Sequence, residues 1–233
     1  MNADTSTVSS LIFEDLGRLT DAFLLAGAQI TAPAQPLDWR GAGGPRLVRL
    51  QLARGRQQWP VLAWAVIVLE SNGLAMSLRT VDGDNSKVTY RSAPTNLLLR
   101  ERRRWYGEGG VARVPDDVQL CDPALAVWLT GALADDVVQW RGAEPDPKRP
   151  LRLTAPRMGR ALAERLVELL QRRGWRCGAQ SNGAAGADDY RIMVAAPSRC
   201  AIESWMEDWV PRPVWDVSFV PDGGGDVDDD DTE

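Results

Sequence analysis

The chain of 233 residues contains no histidine. That absence removes the Ser-His-Asp triad, the Cys-His dyad and any imidazole general base, and with them the zinc sites that use His. Cysteine is scarce. Cys121, Cys177 and Cys200 lie far apart without a C-x-x-C, which speaks against a disulfide framework, a Cys-only zinc site or a redox pair. A reducing compartment, or one that needs no disulfides, is therefore expected. No run of 18 apolar residues exists; the longest apolar stretch, Trp59 to Leu69, carries Pro60 near its start and is too short to cross a bilayer. The first residues have no basic segment followed by an apolar core, and Asp4, Glu14 and Asp15 precede the first Arg, so neither a secretory signal nor a transit peptide is expected. Lysine occurs only at Lys87 and Lys148.

What is present is ordinary in bulk. Hydrophobic residues make up 44% and charged residues 25%, a globular composition on a chain long enough for one large or two small units. Lys plus Arg is 27 against 32 Asp plus Glu, a net charge of −5. Seven of those acids, Asp222, Asp226, Asp228 to Asp231 and Glu233, stand in a Gly-rich stretch without a base. Setting them aside leaves residues 1–221 at +2. Such a tail cannot bury apolar area and is expected to be disordered. The basic side chains of the rest are almost all Arg, which suits bidentate phosphate and base-edge contacts, although GC-rich coding would produce the same excess.

Periodicity gives an ordered series of elements. Leu11 to Ala26 repeats apolar residues at helical spacing. Arg46 to Ala53 alternates, with Val48, Leu50 and Leu52 opposed to Arg49 and Gln51, as a half-buried strand does. Gln57 to Leu69 reads as an apolar helix stopped at Asn72-Gly73. Met76–Thr80 and Lys87–Tyr90 form a hairpin around Asp82–Asn85, and Thr95 to Arg104 a helix ending in a basic cluster. The order then recurs: helix Pro123–Ala134, strand Val137–Arg141, strand Leu151–Thr154, helix Met158–Arg173 capped by Gly174, strands Trp175–Gln180 and Tyr190–Ala195, and helix Ser198–Trp209 with Ser198 as N-cap. Each half thus offers an antiparallel sheet with helices on one face. The free faces carry Arg49, Gln51, Arg79, Lys87 and Arg91 in the first half and Gln139, Arg141, Arg152 and Arg191 in the second. An Arg-bearing polar sheet face is what a groove-reading β platform requires; a solvated face looks the same.

The run Trp105-Tyr106-Gly107-Glu108-Gly109-Gly110-Val111-Ala112-Arg113-Val114-Pro115, the helix Pro123-Ala124-Leu125-Ala126-Val127-Trp128-Leu129, the segments Leu151–Thr154 and Tyr190–Val194, and Pro211-Arg212-Pro213-Val214-Trp215 together resemble, in order and spacing, the linker and second half of the LAGLIDADG homing endonuclease family. The first half resembles it through topology and the Leu24-Leu25 helix end. The resemblance implies an α+β fold of two pseudo-symmetric αββαββα repeats forming a saddle of antiparallel sheets. The repeats are expected over residues 1–105 and 122–220, with a linker at 106–121 and the acidic tail at 221–233. It also implies two motif helices packed side by side, each ending in a carboxylate that binds a catalytic divalent metal.

At those ends this sequence reads Ala26-Gly27-Ala28 and Gly131-Ala132-Leu133, so Gly27 and Gly131 stand where the acids would be, able to serve close helix packing but not metal chemistry. Asp135 and Asp136, about one turn beyond Gly131, are the only nearby substitutes, and an ordinary polar helix end accounts for them more readily. Gly41–Pro45 lacks the Lys-Ser/Thr of a phosphate loop. Trp59, Trp64, Trp128, Trp140, Trp205 and Trp209 read as core, with base stacking for any that faces a free sheet. Arg102-Arg103-Arg104 is either a phosphate contact or a solvated helix end.

The expectation is a degenerate LAGLIDADG-type protein that binds nucleic acid, RNA before DNA, without cutting it. It would act as a splicing maturase or a structural part of an organellar ribonucleoprotein or ribosome. No catalytic residue, metal ligand or cofactor is assigned; Mg²⁺ enters only under the alternative of an endonuclease with displaced acids. A monomer is expected, possible partners being ribosomal or splicing proteins, with no membrane contact and with a mitochondrial location foremost.

Overall fold

The structure is a computed structural model, and it describes residues 15–32, 47–80, 87–106, 112–139, 149–155, 158–182 and 189–215. The Gly41–Pro45 turn, the Asp82–Asn85 hairpin tip, Trp140, Arg141 and the acidic tail lie outside these residues.

Helix α1 (Leu16–Leu25) begins at Asp15, whose carboxylate accepts the Gly17 N–H at 2.8 Å, the side-chain cap that orphan N–H groups need. It ends at Gly27, φ 94°, where the N–H groups of Gly27 and Ala28 return to the carbonyls of Leu24 and Phe23 in a left-handed C-terminal cap. A short strand β1 (Gln29–Thr31) follows, then β2 (Arg49–Gly55), a 3₁₀ turn (Arg56–Gln58) and α2 (Trp59–Ser71). The hairpin β3 (Met76–Thr80) and β4 (Lys87–Ser92) and helix α3 (Leu99–Tyr106) complete the first half. The second half contains α4 (Asp122–Gln139), β5 (Leu151–Leu153), α5 (Arg160–Gln171), β6 (Cys177–Ser181), β7 (Tyr190–Val194), α6 (Ala196–Glu207) and the single turn α7 (Arg212–Trp215).

The result is a mixed α+β fold with two antiparallel sheets, ordered β1-β2-β4-β3 and β5-β7-β6. The shared part has one register. Gln51, Arg91 and Ser77 line up across the first sheet as Arg152, Met193 and Gly178 do across the second. α4 is the centre. Ala124 through Ala134 are continuously buried, as a helix apolar on all sides must be. α1 packs along it, and the Trp128 indole donates to the Thr154 carbonyl at 3.2 Å, tying α4 to the end of β5.

Three expectations are corrected. Val137 to Arg141 is not a strand over its described part, because α4 runs on to Gln139. Adding residues to a formed helix costs little, and the acid inside this extension, Asp136, is neutralised by Arg149 at 2.8 Å, so the β-branched pair does not prevail. Among the described residues the second sheet consequently has three strands. Ser198 is not an N-cap. The helix starts earlier, after Ala195 and with Pro197 in its first turn, and the Ser198 hydroxyl instead accepts the Arg176 N–H at 2.7 Å. The expected helix from Thr95 begins only at Leu99, because Thr95 exchanges backbone hydrogen bonds with Val48 at 2.8 and 2.9 Å.

Candidate nucleic-acid interface

Strand parity decides which side chains share a face. On β2, Leu50 and Leu52 are buried under the helices, which turns Arg49 and Gln51 to the opposite side. Register carries that side across the sheet. Thr31 lies beside Arg49, then comes the row Gln29, Gln51, Arg91 and Ser77, then Ala53, Thr89 and Arg79, and finally Gly55 beside Lys87. The five residues expected on this face, Arg49, Gln51, Arg79, Lys87 and Arg91, are thus brought together. Arg91 Nε donates to Gln51 Oε1 at 2.9 Å, which orients one guanidinium, and Arg79 and Lys87 are exposed. The buried Nε of Arg49 has no partner among the described residues.

The second sheet holds fewer cations. Arg152 and Arg191 fall on one face with Met193, Gly178 and Gln180, and Arg191 Nε donates to Gln180 Oε1 at 3.1 Å. Gln139 does not join them, since its backbone belongs to α4. Arg141 lies outside the described residues.

The end of α1 meets the middle of α4 at Gly131, where the resemblance implies metal-binding acids. Gly131 allows the approach. A Cβ there would stand 2.9 Å from the Ala26 Cβ and 2.9 Å from Arg54 Nη2, closer than real Cβ atoms come. Into this crossing β2 sends Arg54. Its Nη1 donates to Asp135 Oδ1 at 2.7 Å and its Nη2 to the Ala26 carbonyl, while Gln58 Nε2 donates to the same Asp135 oxygen at 2.7 Å. Asp136 is buried and bound to Arg149, with Arg199 4.0 Å away. Neither acid is a solvated helix end, and both are committed to arginine. Among the described residues no group of three or more Cys, Asp or Glu is placed to hold a metal ion. The residues present do not fit the metal centre that the resemblance implies.

The basic run at the end of α3 divides. Arg104 binds Asp21 through both Nη atoms at 3.1 Å, Asp117 at 2.7 Å, and Glu101. Trp105 Nε1 donates to Asp21 at 2.7 Å. Burial pushes the Asp21 carboxyl up, against the lowering by Trp105 and Arg104. Burial opposes the charge of Arg104 too, but Asp117, Asp21 and Glu101 outweigh it and raise its pKa. The bond from Arg104 lowers exposed Asp117. Arg102 donates to the Ile30 carbonyl at 2.9 Å and lies over the Tyr106 ring. Only Arg103 of the three is exposed.

Of the tryptophans expected in the core, Trp64 and Trp128 are buried, Trp205 and Trp209 pack against it, and Trp59 is 43% exposed beside Tyr90. Burial raises Cys177 to about 11, which keeps that thiol protonated.

Arg54 and Gln58 are the residues that sequence reasoning passed over. Parity places Arg54 in the inward series Leu50, Leu52, whereas Gln58 lies in the 3₁₀ turn beyond the strand and has no such signal.

No family model matches the chain, and no curated protein does. Among solved structures the fold is similar to that of I-DmoI, a homing endonuclease. A variant of I-DmoI with its target DNA in the presence of magnesium is 13% identical, with 87% of this chain and 98% of that chain covered and a TM-score of 0.49. I-DmoI with DNA and calcium is 14% identical, covering 82% and 91%, at 0.49. Mesophilic variants of the homing endonuclease I-DmoI are 14% identical over the same shares, at 0.46. A likeness of this extent does not place the chain in a family.

Proposed function

We propose that this chain binds nucleic acid on its two sheet faces and does not cut it. The observation that carries the reading is the outer face of the first sheet. Arg49, Arg79, Lys87 and Arg91 share one side with Gln51 between them, and the second sheet adds Arg152 and Arg191. Arginine forks suit phosphate and base edges, and the Gln partners of Arg91 and Arg191 hold those forks in place. The absence of cutting follows from the arginines that engage Asp135 and Asp136 at the helix ends.

The ligand is a folded RNA. Outside the acidic stretch the net charge is only +2, which supports recognition of a defined shape through backbone contacts over a search along duplex DNA driven by non-specific electrostatics. The role that goes with this binding is that of a splicing maturase or a structural component of an organellar ribonucleoprotein, with the chain acting as a monomer.

Crosslinking followed by sequencing of the bound nucleic acid identifies the ligand. Filter binding then measures the contribution of the face. Arg79→Ala and Lys87→Ala are each expected to weaken binding uniformly and to reduce the salt slope by about 1. Unchanged affinity and slope in the double variant would remove the sheet face from the interface. Cleavage of a duplex target library in Mg²⁺ or Mn²⁺, abolished by Asp135→Asn or Asp136→Asn, would replace the reading with a metal-dependent endonuclease.

A further inference from the structure

The crossing of α1 and α4 gathers negative charge. Ala26 is the C-cap of α1, and Asp135 lies one turn before the end of α4. Carbonyls at a helix C-terminus carry partial negative charge, and a carboxylate there is unfavourable without a cation. The α1 end, which Gly131 admits against the middle of α4, and the Asp135 carboxylate one turn further along α4 together require one. Arg54 supplies it from a strand position whose neighbours in phase, Leu50 and Leu52, are core residues. Its side chain is 16% exposed, so the charge is held largely away from water.

We propose that Arg54 occupies a latent site for a hard divalent cation and closes it to metal. With the guanidinium removed, the Ala26 carbonyl and the Asp135 carboxylate, now bound by its Nη2 and Nη1 respectively, are left without their cation. Gln58 becomes a third oxygen ligand. Its amide now donates to Asp135, and rotating the amide presents its oxygen instead. Oxygen donors of this kind, completed by water, are what Mg²⁺ and Ca²⁺ take. Gly131 has no side chain to fill the vacated space.

The test is thermal unfolding of the full chain and of Arg54→Gln, in EDTA and in millimolar Mg²⁺, Ca²⁺ or Mn²⁺. The wild-type midpoint is expected to be the same in all four. Arg54→Gln is expected to unfold at a lower temperature in EDTA and to recover by at least about 2–4 °C with at least one of the ions. Asp135→Asn in the same background should abolish the recovery, which separates this site from ions held by the acidic C-terminal residues. If Arg54→Gln is unfolded in EDTA, refolding on addition of a divalent ion supports the proposal, and failure of all three ions to refold it overturns it. A wild-type midpoint that rises with divalent ion and loses the rise on Asp135→Asn also overturns it, since the site would then be open with Arg54 in place.

Discussion

Gly131 is worth most where it has nothing. Its missing Cβ lets Ala26 approach α4 and leaves room for one guanidinium, and a methyl group would stand 2.9 Å from both. Arg54 could bend away, but Ala26 Cβ is fixed to the α1 backbone, so the helices must part. Gly131→Ala is expected to destabilise the chain by about 1–3 kcal/mol, although alanine is the better helix former. Denaturant unfolding measures it, and a stabilised variant would mean that the crossing is not tight. That glycines stand at positions 27 and 131 is visible in the sequence, and so is the possibility of close packing. Their separate roles are not visible. Gly131 serves the approach, whereas Gly27 has φ 94° and serves to end α1. Arg54 escapes notice because one charged residue near the end of a strand reads as an exit to solvent, and only the partners on α1 and α4 show otherwise.

Elements with several turns or clear alternation are legible, and the exceptions share a cause. β1 has three residues and exists through its pairing with β2, a tertiary contact that leaves no periodic trace. The tail of α4 reads as a strand because local preference favours one there, while the helix behind it and Arg149 decide otherwise. The docking of α3 on α1 is likewise written in side chains distant in sequence, with Asp21 held by Arg104 and Trp105. It has a pH signature. The Asp21 carboxyl is raised above its unfolded value, so its contribution to stability is fully present below about pH 3.9 and is lost as pH rises through the folded value. Exposed Asp117 works in the opposite sense, contributing above that pH and losing its contribution as pH falls. Asp21→Asn removes the first limb only. The stability gap between wild type and Asp21→Asn, from urea unfolding at a series of pH values, is expected to narrow as pH rises; a gap that widens would show that pairing with Arg104 outweighs burial.

For the molecule as a whole, the two sheets have a common register and different surfaces. The first face carries Arg49, Arg79, Lys87 and Arg91, the second Arg152 and Arg191 beside Met193 and Gly178. The parity that separates these residues from the core is legible in the strands themselves, which is why most of the expected face is assembled. Gln139 is not on it because it is the last residue of α4. The overall charge of −5 hides this surface by averaging it with seven acids near the C-terminus.

α4 belongs by sequence to the second half, yet α1 packs along it and Arg54 of the first half closes its far end. The buried residues of the two halves therefore form one continuous core. Cutting the chain between residues 111 and 112 creates two fragments, each exposing an apolar helix surface that only the other can cover. Produced alone, each is expected to aggregate. Produced together, they are expected to associate without a covalent link and elute at the size of the intact chain, with Gly131→Ala weakening the pair. Separate folding of either fragment to a soluble monomer would refute this. The molecule is in effect a heterodimer whose subunits happen to share one peptide, a natural split protein in which reassembly reports on the seam between the halves, where α1 and α2 both meet α4.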